Sequence, residues 1–154
     1  LDWSYMAEGL VFGSGRPVLL LPRPDGPAHR YRSIAIGWDG SRAAARALAD
    51  ALPLLSAADA IELLVVTGDK ELPTAADPTE AQRHLATHGI STGIRTIEAR
   101  RRDAGTALCE EALALGGDLL VMGAFGHSRV REFVLGGATQ SVLDDVRLPV
   151  LLSH

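Results

Sequence analysis

Asp118 is followed by four apolar residues in a row, Leu119-Leu120-Val121-Met122, with the turn formers Gly116-Gly117 just ahead of it. A strand that is apolar on both faces has to be covered on both. That is the condition of a central strand in a parallel sheet, not of an antiparallel strand with one wet side. Further strands lie along the chain, one of them, Ile94 to Ala99, of mixed polarity as an edge strand would be. Ile34 to Gly37, Ile61 to Val66, Ile94 to Ala99 and Pro149 to Leu152 are further strand-length runs, and helical spacing separates them. After Ser41, the residues Ala44, Ala47, Leu48, Ala51, Leu52 and Leu55 recur at helical intervals, with Pro53 expected to kink or shorten that helix. Asp77-Pro78-Thr79-Glu80 supplies an N-cap, a first-turn proline and a capping-box acid before Ala81 and Leu85, and Gly89 closes the helix. A third helix is predicted from about Asp103 to Leu115 and a last one from Thr139 to Val146. Strand and helix in alternation predict an α/β fold: an open, parallel, five-stranded sheet with helices on both faces, since parallel neighbours need crossover connections.

At 154 residues and 47% hydrophobic, the chain can bury a core of single-domain size. Its net charge of −4 gives no broad basic field, which argues against nucleic acid and anionic lipid as partners. No apolar stretch approaches the roughly 20 residues that span a bilayer. The single cysteine, Cys109, allows no intramolecular disulfide and sits in an Ala/Leu-rich helical pattern, which fits a small buried hydrophobe and a reducing, cytoplasmic setting. The chain opens on Leu1, with no charged start leading into a long apolar segment, so no secretory signal is visible, and the N-terminus is expected to belong to something longer.

Ligands in open sheets of this kind bind beyond the carboxyl ends of the strands. Two of those segments are distinctive. Gly123-Ala124-Phe125-Gly126 follows the fourth strand, nine residues intervene, and Gly136-Gly137-Ala138-Thr139 opens the last helix. Glycine lets a backbone approach a ligand closely, and a helix start offers unpaired N–H groups and a positive dipole end, which together suit phosphate. Turns and a helix cap need the same residues, so the glycines alone leave both readings open. His127, Arg129 and Arg131 lie between them, where cations could neutralise phosphate oxygens or simply form a solvated charged loop beside Glu132. His84 and His88 have a spacing that can clasp zinc, but no acidic or cysteine ligand accompanies them, and they read as surface histidines.

The spacing of the two glycine segments after a buried strand, together with Trp38-Asp39-Gly40-Ser41 after the first strand, resembles the universal stress protein family over residues 33 to 154. The resemblance implies strand order 3-2-1-4-5, an adenine-nucleotide-hydrolase-like, Rossmann-like sheet, and an adenine nucleotide lying where the order reverses. It implies ATP, or AMP or ADP, with magnesium, as the ligand. Asp39 and Val65 or Val66 would lie near adenine and ribose, and Met122 beside base or sugar. Gly123, Gly126, Gly136, Ala138 and Thr139 would cradle the phosphates. Gly137 stands where the family's signature has serine or threonine, which removes a hydroxyl but leaves an N–H. Asp39 has a second reading from its own residue type, as a cap or turn residue at a helix start.

There is no G-x-x-x-x-G-K-[ST] and no G-x-S-x-G, and Gly13-Ser14-Gly15 precedes a strand instead of following one. Binding with little turnover is therefore expected, with a nucleotide-free interaction domain and a slow ATP hydrolase or nucleotidyl transferase as the alternatives.

Residues 23 to 32 read as a linker rich in turn formers. Ahead of it, Pro17-Val18-Leu19-Leu20 repeats later as Pro149-Val150-Leu151-Leu152, and Glu8 to Gly13 is similar to the loop stretch Arg131 to Gly136. Residues 1 to 22 thus resemble the remnant of a preceding domain, as in tandem members of the family. The family's habit of pairing final strands antiparallel implies that Pro17 to Leu21 lies against Pro149 to Leu152, in one chain or between copies of a homodimer.

Overall fold

The computed structural model describes residues 3–23, 26–68, 77–124 and 137–154. In chain order the elements are α1 (Trp3–Gly13), β1 (Val18–Leu20), β2 (Ser33–Gly37), α2 (Arg42–Leu55), β3 (Ala60–Thr67), α3 (Pro78–Thr87), β4 (Gly93–Glu98), α4 (Ala104–Ala114), β5 (Leu119–Gly123), α5 (Gly137–Asp144) and β6 (Val150–Ser153).

The helices begin where their capping residues dictate. The Ser41 hydroxyl accepts from the N–H of Ala44 at 3.0 Å, and the Asp77 carboxylate accepts from the N–H and hydroxyl of Thr79 at 3.0 and 2.6 Å. α2 runs two residues past Pro53, to Leu55. The proline falls so near the end that Ser56 takes over the closing bonds, its N–H and hydroxyl both donating to the Leu52 carbonyl.

The six strands form one sheet in the order β1-β6-β5-β2-β3-β4. All neighbours are parallel except β1, which runs antiparallel to β6 with Leu19 opposite Leu151. Five parallel strands in the expected order are thus extended by a sixth, and the pairing predicted for the two Pro-Val-Leu-Leu segments forms within a single chain.

β5 shows why the central run had to be apolar throughout. Leu119 and Val121 point into a core layer under α2 and α3, with Ile34, Ile36, Leu63, Leu48 and Leu85. Leu120 and Met122 point into the opposite layer under α1, α4 and α5, with Ala35, Leu64, Leu108, Val142 and Leu152. Alternate residues therefore feed two different cores. Cys109 lies in the second of them, and burial pushes its thiol up to about 11, so it stays neutral and behaves as the small hydrophobe expected.

One local expectation is corrected. Glu8 to Gly13 lies inside helix α1 and is not a loop. Pro17 and Pro149 are 132 residues apart, and at that offset α1 falls on α5, so the segment matches the last helix and not the stretch from Arg131 to Gly136 ahead of it. Burial of Ala7 and Val11 holds the helix together despite Gly9 and Gly13.

Candidate functional site

Strand order reverses between β5 and β2, where the chain passes outward in both directions, and the carboxyl ends of β2, β3 and β5 meet there. β2 leaves the sheet at Gly37. The Trp38 N–H then donates to the Leu64 carbonyl at 2.9 Å, which holds the turn onto β3. Asp39 accepts from the N–H of Ser41 at 2.9 Å, so the carboxylate shapes the turn that delivers Ser41 as the cap of α2.

β5 ends at Gly123, and this glycine is required by packing. A Cβ here would lie 2.4 Å from the Ala43 carbonyl carbon and 2.4 Å from the Ala44 nitrogen. The N-terminus of α2 is therefore seated directly against the end of β5, which brings the Trp38 to Ser41 turn and the start of the glycine segment together. Next along, the Ala124 N–H donates to Ser153 at 2.7 Å, and the buried Ser153 hydroxyl donates to Asp50 of α2 at 2.8 Å. These bonds tie β6, β5 and α2 at the same end of the sheet.

α5 reaches that end through a close helix crossing. A Cβ on Gly105 would lie 2.1 Å from the carbonyl oxygen of Ala138, so the first turns of α4 and α5 are in backbone contact. Asp103, the cap of α4, accepts from the N–H and hydroxyl of Thr106, both at 2.9 Å. Partial burial pushes its carboxyl up, but the bonds from Thr106, with a further one from the Ser141 hydroxyl of α5, outweigh it and hold the group below its ordinary value of 3.8. The same carboxylate thus caps one helix and holds the next.

The sequence profile of the Universal stress protein family matches residues 30–154. The chain belongs to the universal stress protein family. Among solved structures it is similar to a universal stress protein from Archaeoglobus fulgidus, at 19% identity and TM-score 0.71 over 96% of this chain and 54% of that one. It is also similar to the universal stress protein UspA of Lactobacillus plantarum, at 21% identity and TM-score 0.65 over 82% of this chain and 100% of that one. Both likenesses bear on the fold. A curated relative, universal stress protein Slr1230 of Synechocystis, is 56% identical over 34 residues, a match spanning 22% of this chain and 12% of that protein.

The residues singled out from the universal stress protein resemblance separate into three groups. Asp39, Val65, Val66 and Gly123 lie at or just beyond the strand ends around the reversal point. Met122 lies there too, but its side chain is buried in the core with Leu108 and Val142. Gly137, Ala138 and Thr139 form the first turn of α5, with Gly137 exposed and Thr139 buried. Gly126, His127, Arg129, Arg131 and Gly136 lie outside the described residues. Among the described residues, no group of His, Cys, Asp or Glu is arranged to hold a metal. His84 and His88 meet edge to face, with ring centroids 5.0 Å apart.

Two features escaped the sequence reading. Arg102 fastens the turn after β4, donating to the carbonyls of Ala99 and Glu98 at 2.8 and 2.9 Å and pairing with Glu110 at 2.5 Å. The run Arg100-Arg101-Arg102 was visible, but nothing in it separates the partly buried clamp from its neighbours, which adopt φ of 51° and 69°. The indole N–H of Trp38 is buried without a partner among the described residues, which only the tertiary surroundings reveal.

The capping carboxylate of Asp103 yields a pH prediction. Its folded pKa is depressed, so its contribution is complete above about pH 4 and is lost as pH falls through the folded value. Asp103→Ala should cost about 1 kcal/mol at pH 7, as loss of an N-cap does, and the gap to the parent should narrow in acid. Thermal melts at pH 7 and pH 3 check this, and an equal gap at both would remove the carboxylate from the account.

Proposed function

We propose that this domain binds an adenine nucleotide, ATP in the first place, and serves as a regulatory element with little turnover. The observation that carries the reading is convergence at the reversal point. The turn Trp38 to Ser41, the glycine at the end of β5 and the first turn of α5 all sit at the carboxyl ends of the strands, the place where parallel sheets of this class take their ligands. Membership of the universal stress protein family supports it, because its nucleotide-binding members use the glycine pattern found here.

In this reading Asp39 and the backbone at Val65 and Val66 face the adenosine. Gly123, Gly126, Gly136, Ala138 and the N–H of Gly137 face the phosphates, with His127 and Arg129 adding charge and magnesium accompanying the phosphates. Met122 contributes through its backbone, since its side chain is in the core. Thr139 is buried, so its first-turn N–H is better placed than its hydroxyl to serve a phosphate.

A second reading, a nucleotide-free interaction domain, is favoured by one observation: the bulky, partly buried Trp38 follows directly on the end of β2 at the reversal point and packs against the core under α2. Isothermal titration with ATP and magnesium separates the two. Micromolar binding, worth about 8 kcal/mol, is expected for the parent and its loss for Gly126→Val, whose side chain blocks close backbone approach. No heat with the intact protein would leave the interaction-domain reading. A turnover assay with magnesium and ATP tests the third alternative, a slow hydrolase or nucleotidyl transferase, and only trace phosphate release is expected.

A further inference from the structure

We propose that Ser153, acting with Asp50, is a positioning residue for the nucleotide site, holding in register the two chain segments that meet at the reversal point; this rests on the reading that an adenine nucleotide binds there. Ser153 closes β6 and is 1% exposed. It lies two residues beyond Leu151, so its side chain enters the same layer under α2. A position of that kind ordinarily takes an apolar residue. Here the hydroxyl donates to the Asp50 carboxylate of α2 at 2.8 Å, and the Arg46 guanidinium lies 3.6 Å from the same carboxylate oxygen. The Ser153 carbonyl in turn accepts from the N–H of Ala124 at 2.7 Å. One buried residue is therefore bonded to α2 through its side chain and to the exit of β5 through its backbone.

The packing of α2 explains why such a bond is needed. The helix buries mostly small side chains against the sheet, with alanine at Ala43, Ala44, Ala47 and Ala51. At its start the backbone sits on Gly123, where an added Cβ would lie 2.8 Å from the Cβ of Ala43. Alanine against glycine allows close approach but little interlocking. Apolar burial is also non-directional, so it draws α2 onto the sheet without fixing where along the sheet the helix stops. A hydrogen bond to a carboxylate is both directional and stronger than a neutral one. Asp50 lies about two turns beyond the Gly123 seat, so it gives α2 a second point of attachment that fixes its shift and its rotation. Burying part of a carboxylate carries a desolvation cost that an apolar pair would not, which makes register a better reason for this pair than stability.

Both halves of the proposed site hang on this residue. Asp39, on the adenosine side, is joined to the start of α2 by its bond to the Ser41 N–H, and Gly123, on the phosphate side, is the residue opposite Ser153 in the β5·β6 ladder. With the Ser153–Asp50 bond made, the two stand at a set separation before a ligand arrives. Without it, α2 and the turn it carries are free to shift against the end of β5. Preorganisation of this kind is read in affinity, because the ordering cost then falls on binding.

The test is ATP titration well below the melting midpoint, combined with amide NMR spectra of the nucleotide-free protein. Ser153→Ala should weaken ATP binding about tenfold and move the amide signals of Ser41, Ala44 and Gly123. Asp50→Asn, whose amide oxygen still accepts from the hydroxyl, should keep nearly the parental affinity, whereas Asp50→Ala should lose as much as Ser153→Ala. The double variant Ser153→Ala/Asp50→Ala should bind no more weakly than either single one, since both remove the same bond. Ile90→Val, a core truncation between α3 and β4 at the opposite end of the sheet, is the control: it should lower the midpoint and leave ATP affinity unchanged. Parental affinity in Ser153→Ala, additive losses in the double variant, or an equal loss in Ile90→Val would each overturn the positioning role. If the intact protein binds no ATP, the nucleotide reading itself falls, and the NMR arm still decides the rest: unmoved signals at Ser41 and Gly123 in Ser153→Ala would show that the bond does not hold these segments.

Discussion

Gly105→Ala is expected to melt the domain several degrees earlier and to weaken nucleotide binding in the same protein. In an isolated helix the change would be favourable, because alanine exceeds glycine in helix propensity by about 1 kcal/mol. Here the new methyl would lie 2.1 Å from the carbonyl oxygen of Ala138 and 2.8 Å from its carbon, distances that real side chains do not reach. The neighbour is backbone, so no rotamer change relieves the contact and α5 has to move away from α4. Overpacking of this kind costs about 1 to 3 kcal/mol, more than the propensity gain returns, and each lost kcal/mol lowers the midpoint of a domain this size by about 2 to 4 °C. Since α5 begins at Gly137 beside the proposed phosphate site, its displacement should also reduce ATP affinity in titration. A variant more stable than the parent would show that the helices do not cross at Gly105.

Leu120→Ala should have a larger effect on stability. Leu120 is fully buried in the middle of β5, opposite Ala35 on one side and Val150 on the other, in the layer capped by α1, α4 and α5. Truncation removes the transfer free energy of the lost methyl groups and leaves a cavity that strands paired on both sides cannot close, at a cost of about 2 to 5 kcal/mol. Against a total stability of about 5 to 15 kcal/mol, that is enough to populate unfolded chains at 37 °C. Urea unfolding should show a lower midpoint with an unchanged slope, as expected when the native state loses stability without losing compactness. A cost under about 1 kcal/mol would mean that the layer relaxes around the site.

The two substitutions probe different kinds of information. Leu120 could be selected from the sequence, because four apolar residues in succession after Asp118 admit few arrangements other than a strand covered on both faces. Gly105 could not. In the sequence it is an ordinary glycine near a helix start, and its importance comes from Ala138, a residue 33 positions later whose approach no local pattern encodes. Gly123 lies between these cases. It stood out as part of a glycine segment suited to a ligand, and the structure gives it a second reason to be glycine, the seating of α2 against the end of β5. Asp39 is similar, since its carboxylate holds the turn at Ser41 whatever else it contacts.

The family resemblance implied the pairing of the two Pro-Val-Leu-Leu segments, and what the sequence by itself determined is the alternation of strands and helices, the cap at Asp77 and the two-faced burial of β5. These follow from periodicity, side-chain hydrogen bonding and hydrophobicity, which act over a few residues and are legible along the chain. Only the tertiary structure decided that Glu8 to Gly13 is helix, that Met122 faces the core, that Arg102 clamps a turn and that β1 pairs with β6 within one chain. Each of these depends on which surfaces meet after the sheet is assembled, and burial between distant segments carries no local signature.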